Sequence, residues 1–378
     1  SGFFTMSWLL DSAAEIPEAQ LQFLYDLYYD CCFPTQQHTP IFDPFATGTL
    51  NKHWARANHM SGYYRTGLNA HEDYHYRHVY NTSGSESDAD TVPFCDWMFT
   101  KGFNETTGEW SDPTIGRTAC NDFEYVSCDA QGNIVELALS SHALSGSIPA
   151  SIANLLFLQK LDLSYNQLTG ELPAAVFASE LLEEVYVTHN LLTGEVPCLT
   201  HPEPRLTTIS LSQNSFTGGL KPCLFTEAPL LQHLYVSYTN LNSTIPPEIK
   251  EATELQQLSA IHAGLRGELP REMMCLKKLT DLHLQRNQLT GTLEQVVTNG
   301  WRRIYSLDLS DNLFAGQLPT FDRHTPALRY LTLSDNLFST PLDAQLESFL
   351  EQQDGTSGSG LTLDGNRLSG PLPDVFYR

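Results

Sequence analysis

From about Gly132 onward, apolar residues recur in one arrangement. Two leucine-type residues flank a single position, a short polar stretch follows, then a turn residue and a Leu-x-Gly-x-x-Pro tail. The series opens with NIVELALSSHALSGSIP, LQKLDLSYNQLTGELP, LEEVYVTHNLLTGEVP and LTTISLSQNSFTGGL. It continues through LQHLYVSYTNLNSTIP, LQQLSAIHAGLRGELP and LTDLHLQRNQLTGTL, and ends with IYSLDLSDNLFAGQLP, LRYLTLSDNLFSTPLD and SGLTLDGNRLSGPLP. The turn position falls at His142, Asn166, Asn190, Asn214, Thr239, Ala263, Asn287, Asn312, Asn336 and Asn366, at steps of 24 or 25 residues until a last step of 30. Ten copies at one period define a repeat architecture. Alternation across Leu-x-Leu predicts a short strand with leucines on one face and the intervening residue on the other. The turn Asn can donate to and accept from backbone that would otherwise be buried unsatisfied. No copy can bury its leucines alone, so stacking must supply the core. Upstream, IPEAQLQFLYDLYYD places Leu21, Phe23, Leu24, Leu27 and Tyr28 at helical spacing and predicts a helix.

The segment LDLSYNQLTGELP and its siblings resemble the plant-type leucine-rich repeat of receptor-like ectodomains and secreted proteins of plants, algae and protists. The resemblance runs from about Asp129 to the end. It implies an α/β solenoid, a right-handed superhelix of about ten 24-residue repeats with a parallel inner sheet as the binding face. Cys120-NDFEYVS-Cys128 resembles the cysteine-bearing cap that precedes such repeats, and the upstream helix resembles the one that opens that cap. The resemblance implies a Cys120–Cys128 bridge, and Cys95 is expected to pair with Cys31 or Cys32. The expected division is an elaborated cap over 1–128 and the repeats over 129–378. Some ninety residues between Cys31 and Cys120 depart from the family pattern, as does a last repeat with no closing cysteine pair or polar helix. That uncapped end invites a neighbouring subunit, since terminal repeats normally need covering.

Charge narrows the partners. The chain carries 44 acidic against 21 basic side chains, a formal net charge of −23. Such a surface repels phosphate backbones and argues against nucleic acid. No run approaches the roughly 18 apolar residues of a membrane helix, so no membrane segment is expected within this chain. The eight cysteines, and N-x-S/T acceptors at Asn81, Asn104 and Asn242, point to the secretory pathway and an extracellular or cell-surface location. Cys198 and Cys223 hold nearly the same place in successive repeats, and adjacent strands about 4.8 Å apart bring such residues within disulfide reach. Cys275 is expected to be a buried free thiol.

One stretch carries enzyme-like spacing. His71-Glu72-Asp73-Tyr74-His75 matches H-E-x-x-H, in which two histidines hold zinc and the glutamate acts as base, so His71 and His75 are metal candidates for a zinc peptidase. Its flanks allow only a short helix without an apolar anchoring face, and the leading expectation is no enzyme, no metal and no cofactor. The acidic run at 85–90 lacks the spaced ligands of a calcium loop. No G-x-S-x-G, phosphate loop or dinucleotide fingerprint occurs.

The middle repeats hold the better signal. Their outward positions carry Tyr186, His189, Gln213, Tyr235, Tyr238, His262, His283 and Arg286, whereas Ala138, Ser140, Ser141, Ser310, Asp311, Ser334 and Asp335 make the terminal copies bland. Tyr and Arg are enriched among interface hot spots. The expected function is a non-enzymatic recognition module that binds a protein, peptide or glycan on the inner face. The alternative is a structural subunit of an extracellular matrix, sheath or appendage.

Overall fold

A computed structural model describes residues 16–32, 103–104, 109–110, 125–199, 205–297, 300–319, 321, 325–339 and 360–370. The H-E-x-x-H stretch with His71 and His75, Asn81, the 85–90 run, Cys95 and Cys120 lie outside these residues, as do the side chains of Cys31, Cys32 and Asn104.

Each Leu-x-Leu becomes one strand. The strands are β1 (Val126–Cys128), β2 (Ile134–Ala138), β3 (Lys160–Asp162), β4 (Glu184–Tyr186), β5 (Thr208–Ser210) and β6 (His233–Tyr235). Then come β7 (Gln257–Ser259), β8 (Asp281–His283), β9 (Ser306–Asp308), β10 (Tyr330–Thr332) and β11 (Gly360–Thr362). Among the described residues they form one sheet of 11 strands, stacked in sequence order. β1 runs antiparallel to β2, and every later pairing is parallel and in register from copy to copy. Register keeps Leu137, Leu161, Val185, Ile209, Leu234, Leu258, Leu282, Leu307 and Leu331 on the buried side, each at most 1% exposed. The antiparallel β1 occupies the first edge, where unpaired backbone would otherwise invite association.

The tails build the opposite side. Short parallel pairs join Ser145–Ser147 to Gln167–Thr169, Arg266–Glu268 to Gln288–Thr290, and Ala315–Gly316 to Leu337–Phe338. The threonine before the tail glycine stitches copies together: Thr169, Thr193 and Thr217 donate their hydroxyls to the Gly146, Gly170 and Gly194 carbonyls at 3.0, 3.2 and 3.2 Å. The tail proline starts the return path, preceding 3-10 turns at Ala150–Asn154, Ala174–Phe177, Pro247–Glu251 and Arg271–Cys275. Proline suits that place because its φ is preset and the missing N–H would be unsatisfied there anyway.

The turn asparagines tie the copies together from inside. Buried Asn190 donates to the Leu163 and Val187 carbonyls at 2.9 and 3.1 Å, and its Oδ1 accepts from the Leu168 amide at 2.9 Å. Asn166, Asn214, Asn287, Asn312, Asn336 and Asn366 repeat the pattern. Thr239 keeps a single bond of this kind, to its own Val236 carbonyl at 2.7 Å. Serines reinforce that place: Ser237 donates its amide to the Ser212 hydroxyl, and the Ile261 amide donates to the Ser237 hydroxyl, both at 3.0 Å.

The helix α1 (Glu18–Cys32) docks on the first copy, burying Leu21, Phe23, Leu24 and Leu27. Its Gln20 reaches the start of the sheet, where Oε1 accepts from the Ile134 amide at 2.6 Å. Asn154 returns a bond to the Ala19 carbonyl at 3.0 Å. A disulfide joins Cys198 to Cys223, with Cα atoms 5.6 Å apart. Cys128 is disulfide-bonded too, to a partner whose side chain lies outside the described residues. Cys275 is a free thiol but exposed, contrary to the expectation of burial: it ends its 3-10 turn on the outer side, while Met273 and Leu276 take the inward positions.

Candidate recognition surface

Parallel register turns repeat positions into rows. Tyr186, Tyr235 and His283 occupy the same register position of β4, β6 and β8, the outward residue between the two leucine-type ones. His189, Gln213, Tyr238, His262 and Arg286 form a second row three residues on, just before the turn residue. Every non-glycine residue of that row, from Ser141 to Asp335, has φ between 49° and 64°. Left-handed backbone costs a non-glycine residue something. Here it is maintained by a continuous ladder in which each amide donates to the next copy, as His189 does to Ser212 and His262 to Gln285. All eight sequence-predicted residues therefore share the inner face.

Contacts divide this face into three stretches. In the first, Lys160 lies between Glu136 and Glu184 at 3.9 and 3.4 Å, and its ammonium is 5.9 Å from the centre of the Tyr186 ring. Partial burial opposes the Lys160 charge, but the two glutamates outweigh it and hold the ammonium above the usual lysine value. Burial, and then the Glu184 charge, raise the Tyr186 phenol. His189 stacks on Tyr165, with ring centres 5.2 Å apart.

The second stretch is a shallow depression lined by Tyr235, Gln257, Leu258, Ser259, Asp281 and His283. The Tyr235 hydroxyl donates to Gln257 Oε1, whose Nε2 donates to Asp281 Oδ2 at 3.3 Å. The Thr280 hydroxyl donates to the same Asp281 oxygen at 2.6 Å. His283 Nε2 lies 2.9 Å from the Ser306 hydroxyl. Burial, and then the Asp281 charge, raise the Tyr235 phenol. Beside the depression Tyr238 and His262 face each other, ring centres 6.0 Å apart. Gln213 and Arg286 are exposed in that same row.

In the third stretch Tyr305 and Tyr330 meet edge to face at 5.5 Å, 46% and 39% exposed. Their presence corrects the expectation of bland terminal copies, as does Tyr165 in the second copy. The signal was available: period-2 alternation also turns outward the residue before Leu-x-Leu, which is Lys160, Gln257, Asp281 or Tyr330. Among the described residues, Cys198, Cys223 and Glu227 have metal-ligand spacing, but the two sulfurs are bonded to each other. None of the described helices is long and apolar enough to cross a membrane.

The family model "Leucine Rich Repeat" matches residues 157–178 and 230–252. Receptor-like protein 39 of Arabidopsis thaliana is 36% identical over 115 residues, which cover 29% of this chain and 13% of that protein. The chain thus matches a small part of that curated relative. Among solved structures, the Arabidopsis receptor kinase HAESA, in complex with the peptide hormone IDA and the co-receptor SERK1, is similar with a TM-score of 0.55 at 29% identity; the likeness covers 66% of this chain and 44% of that one. A plant ice-binding protein shares the fold, with a TM-score of 0.59 at 23% identity over 76% of this chain and 87% of that one.

Proposed function

We propose that this plant-type leucine-rich-repeat chain is a non-enzymatic recognition module that holds a macromolecular ligand against its inner sheet, outside the cell. The observation that carries this reading is the depression of the middle copies. There Tyr235, Gln257 and Asp281 form one hydrogen-bonded chain with His283 beside it, flanked by the paired rings of Tyr238 and His262. A shallow, polar and aromatic face suits a broad partner better than an enclosed small molecule, which calls for a cleft burying most of its surface. The Cys198–Cys223 disulfide supports an oxidising compartment. The likeness to an ectodomain that takes a peptide hormone supports a peptide or protein ligand.

Replacing Tyr235, Tyr238 and Arg286 together by Ala tests the reading. With the fold verified by circular dichroism, affinity for the native partner should fall by about 2 kcal/mol or more per anchor residue. Undiminished binding, abolished instead by changes within 31–120, would transfer recognition to the cap.

A further inference from the structure

We infer that Asp281, between Tyr235 and Tyr305, is a receptor for a single cationic side chain, an arginine or lysine of a peptide ligand. The inference rests on the inner sheet being the recognition surface and names the chemistry of its centre. The Tyr235 hydroxyl reaches Asp281 through Gln257, and Tyr305 donates its amide to the carbonyl of Thr280, the residue before Asp281. Among the described residues Asp281 accepts hydrogen bonds through Oδ2 alone, from Gln257 and Thr280. These bonds fix the carboxylate plane and leave Oδ1 for a donor. No lysine, arginine or histidine nitrogen lies within 4 Å of it among the described residues, although Lys160, Lys221 and Lys278 all have glutamate partners. The Arg329 guanidinium, which also acts on the Tyr305 phenol, donates to the Leu328 carbonyl at 3.1 Å.

The surroundings present acceptors and ring faces. Two residues past the strand of Asp281, buried Gln285 Oε1 has no hydrogen-bond partner among the described residues, and neither has His233 Nδ1 on β6. Tyr235 and Tyr305 offer the ring faces that attract a guanidinium or ammonium. Toward the end of the sheet Asp308, exposed Asp311, Asp335 and Asp364 extend a negative field that would draw a basic peptide along the later copies.

The test uses the full chain and a short Gly/Ser-spaced peptide with three arginines, beside the same peptide with citrulline, which keeps the shape and removes the charge. Calorimetry should find the arginine peptide bound at least about tenfold more tightly than the citrulline peptide, as expected for one desolvated cation–π and charge-assisted contact. Asp281→Asn, which retains the shape that Gln257 and Thr280 hold, should cost about tenfold. Tyr305→Ala should weaken binding without changing net charge, and Tyr305→Phe should restore it. Glu272→Gln, on the outer side, should change nothing. The inference is overturned if citrulline binds equally, if Asp281→Asn is neutral, or if spermidine competes as well as the peptide. A native ligand that needs Tyr238 and Arg286 but not Asp281 overturns this inference and leaves the recognition surface standing. Indifference to all three overturns both.

Discussion

A buried Asn at the turn is worth more than its size, because each one satisfies backbone groups in two copies at once. Asn190 serves Leu163, Val187 and Leu168, whereas Thr239 in the equivalent place serves only Val236. Asn190→Ala would orphan several buried groups at roughly 1–3 kcal/mol each and should cost about 3 kcal/mol or more. Thr239→Val removes one bond and should cost about 1 kcal/mol. Urea denaturation of the two variants checks the ratio, and equal costs would mean that the ladder is not what the asparagines contribute. This inequality was legible in the sequence, since Thr has one hydroxyl where Asn has an amide. The compensation by Ser212 and Ser237 was not. In the sequence they are two small polar residues among many, and only the stacked geometry brings one copy's hydroxyl to the next copy's amide.

The single repeat is a coil of strand, tail and return turn, and most of it follows from apolar spacing. The prolines that open the 3-10 turns, and the threonines that bond the preceding glycine carbonyl, sit where the tail pattern recurs. What spacing could not give was the width of the recognition surface. Scanning only the residue inside Leu-x-Leu and the pair before the turn misses Gln257 and Asp281, although the pleat turns them to the same side. Two adjacent coils are also joined covalently. Removing the Cys198–Cys223 bridge with paired serines should lower stability by about 3–4 kcal/mol on the chain-entropy view of a loop of this size. Thermal unfolding of that double variant measures it, and non-reducing peptide maps that recover either cysteine alkylated as a free thiol would refute the bond itself.

Among the described residues the molecule stacks near neighbours, apart from the docking of one helix. Each strand pairs with the copy immediately before and after it, so stability should approximate a sum of copies and interfaces. The exception is α1, whose Gln20 meets Ile134 across 114 positions of sequence. Gln20→Ala would leave the Ile134 amide unpaired beneath the helix and should cost about 2 kcal/mol. Hydrogen exchange should locate that loss in α1 and the first two coils; a uniform loss along the solenoid would contradict nearest-neighbour stacking. The same contact sets the terms on which the intervening chain can vary. Closing a loop costs entropy that grows only with the logarithm of its length, about 0.6 kcal/mol for each doubling. A change in the length of chain that this contact spans would therefore cost the clasp of α1 on the sheet edge little in closure entropy.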